Sequence, residues 1–360
     1  MIFKSEINAV RRKITRGLTK NIGRNKLNHS PNLAVDFKNI LISRPNHRLG
    51  NLLLITPLVQ EINDTFPDCK IDLFIKGNLA PIIFENYPTV ENYIVLPRKP
   101  FDNLVQYFRV WLKIRKKKYD LVINIDKSSS SGRLSTQFAN APFKFFGELN
   151  EEIIQEYPDY KHMAKYPVYE FRHYLNQLGH PKQQKPVPTI NIKLSDKELQ
   201  DAKIVLDRIV PNNKKTIAIF TFATGEKCYC TDWWNTFYEK LLISFPDYNI
   251  VEVLPVENVS QIDFKAPSFY SKDVREIAAF IANISLFIGA DSGIMHLASA
   301  SQTPILGLFH VTNPEKYEPY GNSSQAINTK TTPLESLIDI IKKRLNTISF
   351  ILSVFYLELI

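Results

Sequence analysis

The sequence predicts an α/β protein built as two successive parallel-sheet domains. Its 360 residues exceed what one hydrophobic core usually organises and suit two domains of about 150 residues each. Short apolar runs alternate with segments of helical period in two separate series, the pattern of parallel strands joined by covering helices. Between the series, from 150 to 195, the chain is rich in Tyr, Pro, Lys and Gln and shows no clean period.

The first series opens with a strand at Asn39–Ser43 and the loop Arg44-Pro45-Asn46-His47-Arg48-Leu49-Gly50. Apolar positions 54, 55, 58, 59, 62 and 66 then set a helix over 51–66. Lys70–Lys76 reads as the next strand, Ala80–Tyr87 as a short helix and Asn92–Leu96 as a third strand. A helix with a basic end, Phe101–Lys118, leads into the strand Tyr119–Ile125. The irregular segment ends in a linker around Pro181–Pro188.

The second series places strands at Thr216–Phe220, Tyr248–Leu254, Leu286–Ala290 and Ile305–Phe309. Helices fall at Trp233–Ser244, Asp273–Ile284, Ser292–Ser301 and Leu334–Leu345. Neither series carries a Gly-x-Gly-x-x-Gly fingerprint, which argues against a dinucleotide-dependent dehydrogenase. The expected organisation is two Rossmann-like domains, 31–190 and 191–345, facing a central cleft. A basic amphipathic helix over 1–30 precedes them, and an apolar tail over 346–360 follows.

The formal net charge of +9 points to anionic partners. It is concentrated at the start: the first 28 residues hold eight bases (Lys4, Arg11, Arg12, Lys13, Arg16, Lys20, Arg24, Lys26) against the single acid Glu6. Apolar residues recur there at mostly helical spacing. That pattern fits a helix lying on an anionic inner-membrane surface, or one docked on the protein's own body with its basic face in water. The bases are not interleaved with aromatics along a groove, which argues against nucleic acid as a partner. Three cysteines give no disulfide framework and fit a reducing compartment. With no signal-peptide pattern and no apolar run of roughly 20 residues, the expected location is cytoplasmic, peripheral to the inner membrane.

The segment Phe287–Ala300 carries the most chemistry. An apolar strand ends at Ala290 and a helix begins within two residues, so Ser292 and Gly293 sit where free backbone N–H groups and the positive end of the helix dipole favour a phosphate. Ser292 and His296 are four apart and share one side of the first turn. The plain alternative makes Asp291 a helix cap and His296 a satisfied interior histidine. Open α/β sheets bind ligands at the carboxyl ends of strands, which favours the phosphate reading.

Asp291-Ser292-Gly293 with His296-Leu297-Ala298, then Pro304, Gly307-Leu308-Phe309, Thr312 and Pro314, resembles the donor-site signature of glycosyltransferase family 9, the lipopolysaccharide heptosyltransferase family. Arg48-Leu49-Gly50-Asn51-Leu52-Leu53-Leu54-Ile55-Thr56-Pro57-Leu58 resembles that family's first loop and helix. The resemblance implies the GT-B fold and an inverting transfer of heptose or a similar sugar. The donor would be a nucleotide diphosphate, usually ADP-linked. The acceptor would be a phosphorylated glycolipid or other cell-surface glycan. It implies no cofactor beyond this co-substrate and no metal, since basic residues and helix termini neutralise the leaving diphosphate.

Carried onto this chain, the implied donor-binding residues are Thr224, Lys227, Glu252, Asp291, Ser292, Gly293, His296 and Tyr320. Lys227, with Trp233 or Trp234 after it, stands for the family's phosphate-contacting lysine, and Glu252 would accept from the nucleoside. The implied acceptor-binding residues are Gly50, Thr56, Lys127, Ser129 and Arg133, the last three on the Ser-rich loop after Ile125. Catalysis falls to Asn51, His47 and Arg48.

One departure is chemical. The family usually carries Gly-Asp in the first loop, where the carboxylate is the proposed general base, and this chain has Gly50-Asn51. An amide has no basic lone pair on nitrogen and takes no proton at neutral pH. His47 as base, a relocated carboxylate such as Asp126, an acceptor needing little assistance, and a catalytically impaired sugar-binding protein all remain open from sequence.

Overall fold

A computed structural model describes residues 17, 22, 23, 35–97, 104–147 and 151–358, with backbone alone from 348 onward. The basic helix expected over 1–30 lies outside the described residues except at those three positions. The chain divides between Pro188 and Thr189 into two units.

The first unit contains strands β1 (Asn39–Ser43), β2 (Lys70–Ile75), β3 (Val90–Val95), β4 (Leu121–Asn124) and β5 (Phe143–Phe145). Its helices are α1 (Leu49–Leu53), α2 (Thr56–Thr65), α3 (Ala80–Ile83), α4 (Leu104–Lys116), α5 (Ser130–Phe138), α6 (Glu151–Glu156) and α7 (Tyr166–Gln177). All strand pairs are parallel, in the order β3-β2-β1-β4-β5. Ile40-Leu41-Ile42 and Leu121-Val122-Ile123 are fully buried, as expected of strands covered on both faces.

The second unit contains α8 (Asp196–Ile209), β6 (Lys215–Phe220), a 3-10 turn (Gly225–Lys227), α9 (Thr231–Ser244), β7 (Tyr248–Val253) and β8 (Ser268–Phe269). It continues with α10 (Val274–Ala282), β9 (Leu286–Ala290), α11 (Gly293–Ala300), β10 (Ile305–Phe309), α12 (Pro314–Tyr317), β11 (Gln325–Asn328) and α13 (Leu334–Glu358). This sheet is also parallel throughout, in the order β11-β10-β9-β6-β7-β8.

In each sheet the order reverses beside the unit's first strand, between β1 and β4 and between β6 and β9. Such a reversal leaves a crevice outside the carboxyl ends of the two strands, where open α/β sheets take ligands. The two crevices are bordered by Ser43 with Asn124 and by Phe220 with Ala290.

The structure departs from expectation at several elements. The helix expected over 51–66 is two helices, because Pro57 at the start of α2 has no N–H to continue the ladder. Thr56 Oγ1 instead donates to the Leu53 carbonyl, at 2.9 Å. The segment from 150 to 195 is not irregular: it contains α6 and α7. Tyr166 through Arg172, Tyr174 and Leu175 of α7 are all buried, so no amphipathic period marks the helix. Helix α8 was also absent from the expected elements, although Ser195 and Glu198 form a reciprocal capping box at its start. Helix α13 runs on to Glu358, so the backbone of the expected tail is helical to that point. Among the described residues no helix is long and apolar enough to cross a membrane.

Candidate functional site

In the second unit, β9 is buried along its length and stops at Ala290, and Asp291 and Ser292 turn the chain into α11. Ser292 is the N-cap, in extended conformation, and its hydroxyl accepts from the Met295 N–H at 3.2 Å. The N–H groups of Gly293 and Ile294, in the first turn, are of the kind a helix leaves without an internal carbonyl. They follow directly on the carboxyl end of β9, at the positive end of the helix dipole.

Asp291 is buried directly before that terminus, and its Oδ2 accepts from Lys227 Nζ at 2.5 Å and Thr312 Oγ1 at 2.6 Å. Lys227 comes from the loop after β6 through the 3-10 turn, entered at Gly225 with φ of +66°, a left-handed backbone that suits glycine. Thr312 follows β10. The three strand ends β6, β9 and β10 thus converge on one carboxylate. His310 Nε2 donates to the Glu226 carbonyl at 2.7 Å and fixes the same turn from the β10 side.

His296 lies in the first turn of α11, buried, with Nε2 4.0 Å from Asp291 Oδ1. Its Nδ1 has no hydrogen-bond partner among the described residues. Burial holds the imidazole below its ordinary pKa, outweighing the pull of Asp291, and Lys227 pushes the same way. His296 is therefore neutral at neutral pH. The unfolded chain takes up that proton near the ordinary value of about 6.5, while the folded chain does not, so the stability is full above that pH and falls below it. Chemical unfolding from pH 7 down to 5 is expected to show a shallower stability loss in His296→Gln than in wild type. Equal slopes would contradict the assignment.

The other expected residues of this unit are placed differently. Glu252 ends β7 fully buried, with Oε1 taking the Thr221 hydroxyl at 2.6 Å and Oε2 the Ser260 hydroxyl at 2.7 Å. Burial pushes its pKa up. It ties the loops after β6 and β7 together through these two hydroxyls. Thr224 is exposed at the start of the Lys227 turn. Tyr320 is half-buried, and the ring set beside His296 is that of Tyr317, with centroids 6.2 Å apart. Trp234 is a core residue, whereas Trp233 packs on Tyr229, whose ring in turn meets His310 at 4.2 Å.

In the first unit the crevice between β1 and β4 holds a second cluster. Arg44, buried directly after β1, donates from Nη1 to Asp126 Oδ2 at 2.7 Å and from Nη2 to Asn51 Oδ1 at 3.4 Å. Asp126 Oδ1 accepts from the Ser128 backbone N–H at 2.9 Å and the Ser128 hydroxyl at 2.6 Å. Its loop is set by Asn124, whose Nδ2 donates to the Asp126 and Phe146 carbonyls at 3.0 and 2.9 Å. Two glycines admit that side chain and strand end. A Cβ at Gly132 would meet Asn124 Oδ1 at 2.2 Å, and one at Gly147, where φ is +70°, would meet the Asn124 carbonyl oxygen at 2.6 Å.

His47 and Arg48 are exposed on the loop before α1, and Asn51 is half-buried within α1. Gly50 and Thr56 are buried, and the Thr56 hydroxyl donates to the Leu53 carbonyl. Ser129 caps α5 by accepting from the Gly132 N–H at 3.1 Å. Arg133 is buried and braces the chain, donating to the Ile22 and Gly23 carbonyls at 3.1 and 2.7 Å. Lys127 alone of that expected trio presents an exposed charge.

Comparison with known proteins bears on both clusters. The family profile described as "Glycosyltransferase family 9 (heptosyltransferase)" matches residues 272–338, the stretch holding Asp291, Ser292, His296 and Thr312. The lipopolysaccharide heptosyltransferase 1 of Campylobacter coli is 25% identical over 325 residues, covering 83% of this chain and 89% of that relative. A lipopolysaccharide heptosyltransferase 3 of Escherichia coli is 24% identical over 290 residues, covering 76% of this chain and 84% of that relative. The chain resembles the glycosyltransferase family 9 heptosyltransferases, and its family 9 match lies on the Asp291 site.

Among solved structures, a family 9 glycosyltransferase from Veillonella parvula superposes with a TM-score of 0.68 at 18% identity, covering 89% of this chain and 99% of that one. E. coli heptosyltransferase WaaC with ADP-2-deoxy-2-fluoro heptose superposes with a TM-score of 0.59 at 15% identity, covering 85% and 99%. The two parallel-sheet units are those of the GT-B fold. Within that frame, the roles of Arg44 and His310 are not visible in the sequence. Thr312 belongs to the signature, but only the structure shows that its hydroxyl holds Asp291.

Proposed function

We propose that this chain transfers a sugar, heptose or one like it, from an ADP-linked donor to a lipopolysaccharide-type or other cell-surface glycan, with inversion. The observation that carries the proposal is the assembly of Lys227, Thr312 and His296 around Asp291 at the amino end of α11. In this reading the donor diphosphate sits on the N–H groups of Gly293 and Ile294, with Lys227 as the neutralising cation. Asp291 holds Lys227 and Thr312 in place. The orphaned Nδ1 of His296 offers a further polar contact. The leaving group is stabilised by this lysine and helix terminus, so the proposal includes no metal ion.

For the acceptor we propose Asp126 as the general base in place of Asn51. It is a carboxylate at the same strand reversal, and one guanidinium, Arg44, joins it to Asn51. The acceptor hydroxyl would give its proton to Asp126 as it attacks the anomeric carbon and the nucleoside diphosphate departs. Removing such a base usually lowers turnover by about 10²- to 10⁴-fold. Asp126→Asn is expected to do so with donor affinity unchanged, in a transfer assay using ADP-heptose and a truncated lipopolysaccharide core. Asn51→Asp is expected to change little. A large gain in Asn51→Asp with no loss in Asp126→Asn would favour the alternative, a nucleotide-sugar-binding protein that has lost its base.

A further inference from the structure

Helix α4 has two apolar faces. Tyr107, Val110, Trp111 and Ile114 pack on the core of the first unit. Leu104, Val105, Phe108 and Leu112 lie on the adjoining face, 50 to 64% exposed. At 3.6 residues per turn these four fall in one stripe about 100° wide, the width of a face meant to be covered. Phe138, 43% exposed at the end of α5, extends the stripe: its ring lies 6.1 Å from that of Trp111, with the Arg115 guanidinium 5.8 Å from its centroid.

Along the edge of the stripe run Arg109, Lys113 and Lys116, all exposed, and neither α4 nor α5 contains an acidic residue. An apolar patch of this kind on a folded domain marks an interaction surface, and the basic edge selects an anionic partner. The same charge argues against two occupants from the chain itself. The first 28 residues carry eight bases against one acid, and a second copy would present the same basic edge. Large apolar side chains beside Lys and Arg in one plane are what an interfacial helix offers to acyl chains and headgroups together.

We propose that α4 and the adjoining end of α5 seat the first unit on an anionic phospholipid surface, with Phe108 and Leu112 entering the boundary between headgroups and acyl chains. This surface is made of residues other than the basic N-terminal stretch, and it does not rest on the sugar-transfer reading.

The test uses the full chain without donor, sedimented with vesicles of phosphatidylglycerol and phosphatidylethanolamine or of phosphatidylcholine alone. Binding is expected only to the anionic vesicles and to weaken as salt rises. Each charge reversal at Arg109→Glu or Lys113→Glu is expected to weaken partitioning by about fivefold. Phe108→Ser with Leu112→Ser is expected to weaken it tenfold or more while leaving the melting temperature unchanged. The indole introduced by Phe108→Trp is expected to be quenched by brominated lipid beyond the wild-type signal. Wild-type binding by the paired serine variant or by the two charge reversals, or no added quenching, would overturn the proposal. So would a dimer broken by the Phe108 and Leu112 substitutions with vesicle binding intact, since a second copy would then own the face.

Discussion

Lys227→Ala is expected to lower the rate of sugar transfer by about 10²- to 10³-fold, the loss typical of removing one preorganised donor to a developing anion. The Lys227 side chain is 34% exposed and its partner Asp291 only 5%, so the ammonium can turn from Asp291 toward an arriving diphosphate without leaving the site. The alanine variant also leaves Asp291 with the Thr312 hydroxyl and no cation. Stranding that carboxylate costs about 1–3 kcal/mol of stability. The two effects separate by temperature. Turnover measured well below the variant's melting point reports the leaving-group role alone, and near-wild-type turnover there would show that another group neutralises the diphosphate.

The largest stability effect is expected from Arg172→Ala. Arg172 on α7 meets Glu61 on α2 through two parallel bonds, Nε to Oε1 at 2.9 Å and Nη2 to Oε2 at 2.8 Å, with both side chains buried. The same guanidinium donates to the Lys185 and Pro186 carbonyls at 2.6 and 3.2 Å, just before the boundary between the units. Removing it leaves a carboxylate in the interior whose remaining cation among the described residues is Lys185, with Nζ at 3.6 Å. Breaking a buried pair in this way costs about 3–5 kcal/mol. For a unit of this size that lowers the melting temperature by about 6–20 °C. The double replacement Glu61→Leu with Arg172→Met is expected to recover most of the loss, because the desolvated pair adds little net stability over an apolar contact. Calorimetric melting of the three proteins checks both statements, and a single variant that melts like wild type would contradict them.

What was legible in the sequence follows how local each signal is. The Asp291–His296 segment could be read because the strand end, cap, glycine and first helical turn lie within a few residues and act through the same backbone. Strand and helix alternation likewise exposed both sheets. Helix α7 was hidden because its residues are buried nearly all around, which erases the period on which recognition depends. The strand-end position of Glu252 is visible in the sequence, but its two hydroxyl partners are not, because they come from separate loops. The Arg44–Asp126 pair spans 82 residues, and only the parallel pairing of β1 with β4 brings it together. That is why the site of the second unit was read more completely than the cluster of the first. The arginine joining Asn51 to a carboxylate became apparent only in three dimensions.

The most direct test of the central claim is calorimetric titration of ADP into the full wild-type chain, Lys227→Ala and Asp126→Asn. One ADP per chain is expected for wild type, binding at least tenfold weaker for Lys227→Ala, and unchanged binding for Asp126→Asn. Equal ADP affinity in wild type and Lys227→Ala, or no binding of ADP, GDP, UDP or dTDP by the wild-type chain, would contradict a diphosphate site at the amino end of α11.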